Sequence, residues 1–541
     1  MQNTSAGGDS AVAAVDPESD RRLHSGLGTV SLALITFSSV IGSGWLLAPY
    51  NAAKTAGPAA LLSWVIAGVA TLLVSLAFID LAFRYPLTGG NVRWPKRANG
   101  PLVGAIVGWA VFLQAVFAGP SESAAVVQYA GKWLPGVVSD HQLTLVGRLL
   151  GVALLFFFCT LNLFGVRLLA SINNVVTVVK CVIPALTVIL LLASGFDSTN
   201  YRVGGGFAPY GISAALSAVV GGGLVYSFTG INAAAVLSGE ARNPRRTVPR
   251  ATLIVAGGSF LLYLGLQAAV LFSTPQGLLG TGWHGVNLTS PLADIAALLG
   301  MGWLSVTLLA DAVFSPSGSL LVGIGVKGRY TYGAAQNGLL PRYFTAVHQR
   351  TGIPYRALLL NVSIGSVILL LLGSWKTIAS SLSFYYGLSY AAVSVAVTVL
   401  AARDPSAGWL GKWSLPVGLS SFVLSGLILY WSGWGKIRVA MPLLLIGVVA
   451  YLVQRRLRAE NAPGRTWLGS WLVGFMVMLG VVSYLGSFRG LNVLAAPFDS
   501  LLVAAASGLT WWAAHRSGLR FQADLSDSEP QPSMQKVSQQ A

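Results

Sequence analysis

The stretch Ile41-Gly42-Ser43-Gly44-Trp45 lies near the middle of a long apolar segment, residues 26–52. A second stretch, Tyr226-Ser227-Phe228-Thr229-Gly230-Ile231-Asn232, lies inside another apolar segment, residues 211–237. A helix that crosses lipid must satisfy its own backbone hydrogen bonds, so irregular backbone at mid-depth occurs only where protein encloses it or where it lines a cavity. Glycines also let helices pack closely, and each stretch alone is compatible with that structural role. Together, the two stretches predict a pair of interrupted membrane helices.

The composition indicates a membrane protein. Of the 541 residues, 54% are hydrophobic and 9% are charged, whereas a soluble domain carries roughly 25% charged residues. So few charges cannot build a surface that faces water, which excludes a soluble enzyme of this size. The two cysteines, Cys159 and Cys181, lie in apolar stretches and indicate core residues, not a disulfide framework or a zinc site. The five histidines lie in tails or between apolar stretches, so no histidine pair inside the membrane is available to bind haem or a metal.

The predicted architecture is an all-α polytopic bundle of fourteen membrane spans. A transmembrane helix needs about 20 mostly apolar residues. The stretches that meet this condition are residues 26–52, 58–83, 101–130, 143–165, 171–194, 211–237, 249–273, 301–326, 357–374, 378–401, 414–434, 439–454, 466–485 and 491–514. An even number of spans puts both tails on the same side of the membrane.

Lysine and arginine are distributed unequally between the two sides. The side that carries both tails holds 25 of the 34 Lys and Arg residues, the opposite side holds eight, and Lys180 lies inside a span. The positive-inside rule produces this bias when both termini are cytoplasmic. Topology therefore explains the formal net charge of +17, and no nucleic-acid partner is expected.

The interrupted segments are the first and sixth spans, which are the corresponding first members of two five-helix halves. Matched broken helices of this kind mark the binding site of transporters built from inverted repeats. The N-terminus of a half-helix offers free N–H groups to a carboxylate, and its C-terminus offers carbonyls to an ammonium group or a cation. We therefore predict that residues 41–44 bind a substrate carboxylate and that carbonyls at 226–228 bind its amine.

Several motifs, in the expected order, resemble those of the amino acid–polyamine–organocation (APC) superfamily. In this sequence they read Ile41-Gly42-Ser43-Gly44; Asp80-Leu81-Ala82 with Pro86 and Gly89-Gly90; Asn162 with Gly165-Val166; Gly239-Glu240-Ala241-Arg242-Asn243-Pro244-Arg245-Arg246; and Arg329, Tyr332, Asn337-Gly338 and Pro341. Three further stretches, at residues 311–316, 430–434 and 483–488, are most similar to the bacterial aspartate–proton symporters within that superfamily.

The resemblance implies a 5+5 inverted-repeat core with broken first and sixth helices, followed by four additional C-terminal helices. The expected divisions are a cytoplasmic N-terminal tail (1–25), a ten-helix core (26–401, with repeats at about 26–194 and 211–401), four accessory helices (402–515) and a cytoplasmic C-terminal tail (516–541). It also implies a multi-pass protein of a bacterial-type plasma membrane that imports amino acids by proton symport. No cofactor or metal is expected, and the proton would be the coupling ion.

Three charged residues lie deep inside the predicted spans: Lys180 in the fifth, Glu122 in the third and Asp311 in the eighth. A charge at bilayer depth costs about 2.5–3.5 kcal/mol on insertion scales, so each one indicates a function. Superfamily members that do not depend on sodium have a lysine at the position that Lys180 matches, where its ammonium takes the place of a sodium ion. A lysine that releases and regains its proton between the two orientations of a carrier couples transport to a proton gradient. We predict this role for Lys180.

Glu122 and Asp311 are the candidate partners of Lys180. Glu122 could contact the substrate ammonium, carry a second proton, or stay protonated as a structural group. Asp311 shares a helical face with Ser315 and Ser319, four and eight residues on. A pairing of Asp311 with Lys180 and a purely structural role are both open, and so is the choice of Lys180 between the two carboxylates.

The remaining candidates belong to the predicted pocket. Gly230 and Asn232 complete the substrate-binding set, and Asn232 stands where many superfamily members carry an acid. The candidate gating aromatics are Trp45, Tyr226, Phe228, Tyr385 and Tyr386. A neutral Asn232 favours anionic or neutral substrates over cationic ones. The resemblance to the aspartate–proton symporters implies an acidic substrate, and Asn232 is compatible with it, so we predict aspartate or glutamate as the substrate, with small neutral amino acids second.

Other functions are weighed against this one. An amino acid exchanger of the same fold is the main alternative, and a sodium symporter is the closest one in mechanism, although Lys180 argues against sodium. A permease-like nutrient sensor would need a sizeable cytoplasmic extension, and tails of about 25 residues leave little room for it. An intramembrane enzyme would need paired acids or histidines at a suitable depth, and the sequence lacks such pairs.

The predicted topology can be tested with reporter fusions. Because the charge bias puts both tails in the cytoplasm, reporters fused after residues 138 and 285 should be extracellular, and one fused after residue 245 should be cytoplasmic. An extracellular signal from the fusion at 245 would contradict the assignment of the fourth to sixth spans.

Overall fold

The computed structural model describes residues 26–87, 89–140, 142–163, 166–203, 205–336, 338–348, 353–405, 407–457 and 467–528. Within these ranges the chain is almost entirely helical, and its only sheet is a short antiparallel pair, β1 (Val138–Ser139) and β2 (Gln142–Leu143). Eleven helices of the described part are long and apolar enough to cross a membrane. The other three of the fourteen predicted spans are the two interrupted segments and the last helix. The prediction of an all-α polytopic protein is confirmed.

The α-helices follow one another with short connections. In chain order they are α1 (Thr29–Val40), α2 (Gly44–Ala56), α3 (Ala60–Arg84), α4 (Gly90–Asn99), α5 (Pro101–Ala130), α6 (Leu145–Leu163), α7 (Val166–Gly195), α8 (Ile212–Gly221), α9 (Leu224–Ser227), α10 (Ala233–Val236), α11 (Pro244–Ser273), α12 (Pro291–Leu298), α13 (Gly302–Gln336), α14 (Tyr355–Leu372), α15 (Trp375–Arg403), α16 (Ser414–Trp431), α17 (Trp434–Leu457), α18 (Trp471–Leu485) and α19 (Phe498–Ser528).

Both predicted interruptions are present. The first predicted span is divided into α1 and α2, and the sixth into α8, α9 and α10. Two glycines permit the second interruption, because Gly223 has φ +86° and Gly230 has φ +95°, a backbone conformation that residues with a Cβ rarely adopt. The chain therefore leaves the helical path at both of the stretches where the glycines predicted it.

Several helices are longer than the apolar stretches that predicted them. Helix α13 continues ten residues beyond the predicted end at 326, so Lys327 lies inside a helix and not in a loop as expected. The last helix begins seven residues later than expected, at Phe498, and continues to Ser528. Apolar length marks the part of a helix that lies in lipid, whereas backbone hydrogen bonding carries the helix on into polar surroundings.

The interrupted segments are enclosed by long helices. Helix α2 packs against α8, α9 and α11, while α9 also contacts α3 and α15. Helix α5 packs against α13, α14 and α15, which carries its side chains toward the interruptions. Among the C-terminal helices, α16 packs on α15 and α3. The division into a core at 26–401 and accessory helices at 402–515 stays a prediction.

Candidate functional site

A hydrogen-bonded network lies at the interruption between α1 and α2. The backbone N–H of Ser43 donates to Glu122 Oε2 (3.0 Å), and the Tyr226 hydroxyl donates to Glu122 Oε1 (2.6 Å). The Tyr226 hydroxyl oxygen also lies 3.0 Å from Ser43 Oγ and 2.9 Å from Ser121 Oγ. One carboxylate on α5 therefore joins the beginning of α2 to α9, so both interrupted segments meet at Glu122.

Trp375 closes this network at the beginning of α15. Its indole N–H donates to Ser43 Oγ (2.8 Å), and its ring packs edge-on against Tyr226, with ring centroids 5.5 Å apart. The side chain is 1% exposed. Trp375 was not among the predicted site residues, because the tenth predicted span began at residue 378 and left the tryptophan in a loop.

Tyr263, on α11, holds the other side of the interruptions. Its hydroxyl lies within hydrogen-bonding distance of the carbonyl oxygens of Val40 (3.1 Å) and Ser227 (2.9 Å), which end α1 and α9. Phe228 packs against the Tyr263 ring, with ring centroids 5.2 Å apart. Tyr263 was also missed, although a polar aromatic residue near the middle of the seventh predicted span was a signal that could have identified it.

The backbone groups predicted to bind substrate have partners inside the protein. The Gly42 N–H donates to the Val40 carbonyl (3.0 Å), and the Ser43 N–H is held by Glu122. The Ser227 carbonyl accepts from Tyr263, and the Tyr226 carbonyl accepts from the Thr229 N–H (2.9 Å). The Tyr226 carbonyl also accepts from the Thr229 hydroxyl (2.7 Å), which occupies its second lone pair, whereas the Ser227 carbonyl has a second lone pair that a ligand ammonium can use. The Ser43 N–H has a single hydrogen, which it already donates to Glu122, so a ligand carboxylate that binds there must displace Glu122.

Glycines bring the interrupted segments into direct contact. A Cβ at Gly44 would lie 2.5 Å from Ser227 Oγ and 2.9 Å from Ser227 Cα, and one at Gly230 would lie 2.5 Å from the carbonyl oxygen of Ser39. A Cβ at Gly42 would lie 2.5 Å from Glu122 Oε1. A side chain at any of these three glycines would therefore overlap with atoms of a neighbouring segment.

Lys180 on α7 is completely buried and donates a short hydrogen bond to the hydroxyl of Ser319 on α13. Its ammonium interacts electrostatically with both Glu122 and Asp311. Within the part of the chain that the structure describes, neither carboxylate forms an ion pair with it. In this structure the direct partner of Lys180 is therefore the Ser319 hydroxyl group and neither of the two candidate carboxylates.

Asp311 and Ser315 share a helical face, as predicted. The Ser315 hydroxyl donates to Asp311 Oδ1 (3.0 Å). The second oxygen, Oδ2, is buried and has no hydrogen-bond partner among the described residues. Asp311 therefore keeps an unused acceptor atom near Lys180.

Most of the other predicted site residues have partners outside the Glu122 network. Asn232 accepts from the hydroxyl of Ser75 (3.2 Å) and is hydrogen-bonded to Tyr390. Ile41 is buried in the apolar core. Of the predicted gating aromatics, Tyr226 joins the Glu122 network, while Tyr385 packs on Phe117 with ring centroids 5.3 Å apart.

The remaining two gating candidates have other surroundings. Trp45 is buried, and its indole N–H has no hydrogen-bond partner in the described ranges. The hydroxyl of Tyr386 lies 3.5 Å from the ammonium nitrogen of Lys327. Among the described residues, neither side chain is a hydrogen-bond partner of Glu122.

The amino acid sequence matches known proteins along most of its length. A profile of the amino acid permease family matches residues 27–451. The chain is 33% identical over 517 residues to the glutamate/serine transporter AimA of Bacillus subtilis (strain 168), which covers 92% of this chain and 94% of that relative. It is 32% identical over 499 residues to the aspartate-proton symporter of the same organism, with coverage of 90% and 95%. Human cationic amino acid transporter 4 is 27% identical over 413 residues, with coverage of 72% and 62%.

The contact between Gly44 and Ser227 makes a prediction about stability. In Gly44→Ala the added methyl group meets the Ser227 Cα at 2.9 Å, and a backbone atom cannot move away without separating the interrupted segments. We expect a loss of about 1–3 kcal/mol, the usual cost of overpacking, measured as a lower unfolding temperature in detergent. Gly257→Ala is the matched control, because its methyl group meets no atom within 4 Å. Equal unfolding temperatures for the two variants would contradict the contact.

Proposed function

We propose, from the premise that this chain belongs to the amino acid permease family, that it imports an amino acid together with a proton. The family membership makes it an amino acid transporter of a membrane and not an enzyme. The coupling ion and the substrate are our proposal. Proton symport is supported by the relative named as an aspartate-proton symporter and by the charged groups at the interruptions.

The observation that carries the proposal is the hydrogen bond from the Ser43 N–H to the Glu122 carboxylate. The beginning of a helix favours a negative charge, because its free N–H groups and its dipole point toward the charge. A substrate carboxylate has the same chemistry as the Glu122 carboxylate and would compete for the same N–H. In this proposal Glu122 holds that position until the substrate arrives.

Protonation of Glu122 would release the position. A protonated carboxyl is a weaker acceptor and can itself donate one hydrogen bond. Two carboxylates close together repel each other, so binding of the substrate carboxylate favours protonation of Glu122, and protonation of Glu122 favours binding by the same factor. Substrate binding and protonation are therefore coupled, although the substrate does not contact the proton directly.

Lys180 would provide the second half of the coupling. Its ammonium interacts with both Glu122 and Asp311 but donates to Ser319. A change in the charge of either carboxylate therefore alters how strongly Lys180 holds its own proton. We propose that Lys180 exchanges that proton as the carrier changes orientation, with Asp311 as the nearby counter-charge.

Acidic and small neutral amino acids are the proposed substrates. Two relatives are named for the transport of glutamate, serine or aspartate. Asn232 brings no charge to the sixth span, so nothing at that position repels an anionic side chain. Binding of an acidic substrate would be strengthened when Glu122 is protonated, because this removes the repulsion between the two carboxylates.

The coupling can be tested with Lys180→Ala in liposomes. The variant removes the ammonium and leaves the interruptions unchanged, so we expect weakened but measurable substrate binding and loss of accumulation driven by an acid-outside gradient. Lys412→Ala, at an exposed position, is the matched control and should accumulate substrate normally. If Lys180→Ala accumulates substrate with the pH dependence of the wild type, Lys180 has no role in coupling. Uptake by wild-type protein into liposomes that contain only buffer would exclude an obligatory exchanger.

The substrate class can be tested by thermal stabilisation of the purified protein. A ligand that binds only the folded state stabilises it by about 2.7 kcal/mol at 100 times its Kd. We expect aspartate or glutamate to raise the unfolding temperature most, serine or alanine to raise it less, and arginine or lysine to leave it unchanged. Stabilisation by arginine or lysine alone would contradict the proposed substrate class.

A further inference from the structure

Four basic residues lie at the end of the bundle that the charge bias assigns to the outside. Lys54 lies in the last turn of α2, Lys376 in the first turn of α15, Lys436 in the first turn of α17, and Arg489 in the connection between α18 and α19. The Trp434 N–H donates to the Phe488 carbonyl (2.9 Å), which places the beginning of α17 beside the connection that carries Arg489, and α17 also packs against α15. Consistent with this placement, Lys376 interacts electrostatically with Lys54 and Arg489, and Lys436 interacts with Lys376 and Arg489. These four residues are called the outer basic cluster below.

The outer basic cluster has no carboxylate partner. None of its members forms an ion pair with a described acidic residue. Of the described acids at the same end of the bundle, Asp294 pairs with Lys132 (3.0 Å), Asp499 accepts a hydrogen bond from Tyr430 (2.6 Å) and Asp197 accepts one from the Thr199 N–H (2.8 Å). The fourth, Asp140, lies in the exposed turn between β1 and β2. The positive charge of the cluster is therefore not neutralised by the described part of the chain.

Neither stability nor topology accounts for the whole of the outer basic cluster. Its members repel one another, and although the helix dipole favours Lys54 in the last turn of α2, Lys376 and Lys436 lie at the beginnings of helices, where the dipole disfavours a cation. The positive-inside rule concentrates basic residues on the cytoplasmic side, yet the cluster contains four of the eight that the charge bias assigns to the outside. Like charges that lie together without a gain in stability or a role in topology favour the binding of an anion.

The position of the cluster connects it to the interruptions. Lys376 follows Trp375, whose indole N–H donates to Ser43 Oγ (2.8 Å). Lys54 lies on α2, ten residues after Gly44, which at 1.5 Å per residue is a distance of about 15 Å along the helix. An anion held by the cluster therefore lies on the outer side of the Trp375–Ser43 contact.

We propose that the outer basic cluster is an anion-binding site that captures the side-chain carboxylate of an acidic amino acid before Trp375 admits it. The inference rests on the proposed function, since it requires that acidic amino acids are substrates. The chemistry that the cluster recognises is an anionic oxygen group, which the phosphate of an anionic lipid headgroup also presents. The test below separates these two sources.

The test uses the double variant Lys376→Gln/Lys436→Gln. Both changes remove repulsion, so the variant should fold at least as well as the wild type. Arg438→Gln is the matched control, because Arg438 lies on α17 two residues after Lys436 but lines an apolar groove between α17 and α18 instead of the cluster. Initial rates of aspartate and serine uptake are measured in liposomes of neutral phosphatidylcholine, with and without anionic phosphatidylglycerol.

In the double variant we expect KM for aspartate to rise about tenfold at low salt, within the range that electrostatic capture produces. The KM for serine and the kcat for both substrates should change less than about twofold, because the Glu122 network is untouched. The difference should shrink as salt rises, since the screening length falls from about 10 Å at 0.1 M to about 3 Å at 1 M. Arg438→Gln should behave as the wild type.

Two results of the uptake assay would overturn the proposal. Equal changes in KM for aspartate and serine would show that the cluster does not recognise a side-chain carboxylate. An effect that occurs only in liposomes with phosphatidylglycerol would assign the cluster to lipid headgroups.

A separate measurement distinguishes failure of this site from failure of the proposed function. Succinate has two carboxylates and no amine, so it lacks the group that the carbonyls at 226–228 would bind. It should raise the unfolding temperature of the wild type and of Arg438→Gln but not that of the double variant. If the wild type transports no amino acid while succinate still stabilises it in this selective way, the anion site stands and the proposed function fails. If succinate stabilises the double variant as well as the wild type, the cluster is not the anion site.

Discussion

The hydrocarbon interior of a membrane offers no hydrogen bonds, so each backbone group freed at the two interruptions needs a partner inside the protein. Glu122 accepts from the Ser43 N–H, and Tyr263 reaches the carbonyls that end α1 and α9. A buried polar group left unsatisfied costs about 1–3 kcal/mol. The interruptions therefore depend on side chains from α5 and α11, and the packing of these helices around α2 and α9 follows from that requirement.

The same requirement explains why Glu122 is suited to the role proposed for it. A side chain that satisfies the start of a helix must be an acceptor, and a carboxylate is the strongest acceptor available. A substrate carboxylate needs the same donor, so the group that supports the structure without substrate is the group that must give way to it. Structural support and substrate binding therefore compete for one N–H.

The deep charges are arranged so that none is locked in a direct ion pair within the described residues. Removing one partner of a buried ion pair costs about 3–5 kcal/mol. Lys180 donates to the Ser319 hydroxyl, and Asp311 accepts from the Ser315 hydroxyl. Hydroxyl groups can donate or accept, so these contacts tolerate a change in protonation that a direct ion pair would resist. This arrangement suits a site whose charges change during a proposed transport cycle.

Apolar length, charge bias and the positions of glycines were sufficient to predict an all-α membrane protein, both interruptions and the deep charges, because these are local properties of the chain. The partners across the interruptions could not be predicted. Tyr263 is 223 positions from Val40, and Trp375 is 332 positions from Ser43. Which face of a helix turns inward depends on packing, and in a membrane the lipid-facing and the buried faces are both apolar, so hydrophobicity does not distinguish them. Only the tertiary structure therefore decides that Tyr263 and Trp375 lie at the interruptions, that Lys180 donates to Ser319, and that Asn232 has its hydrogen-bond partners outside the Glu122 network.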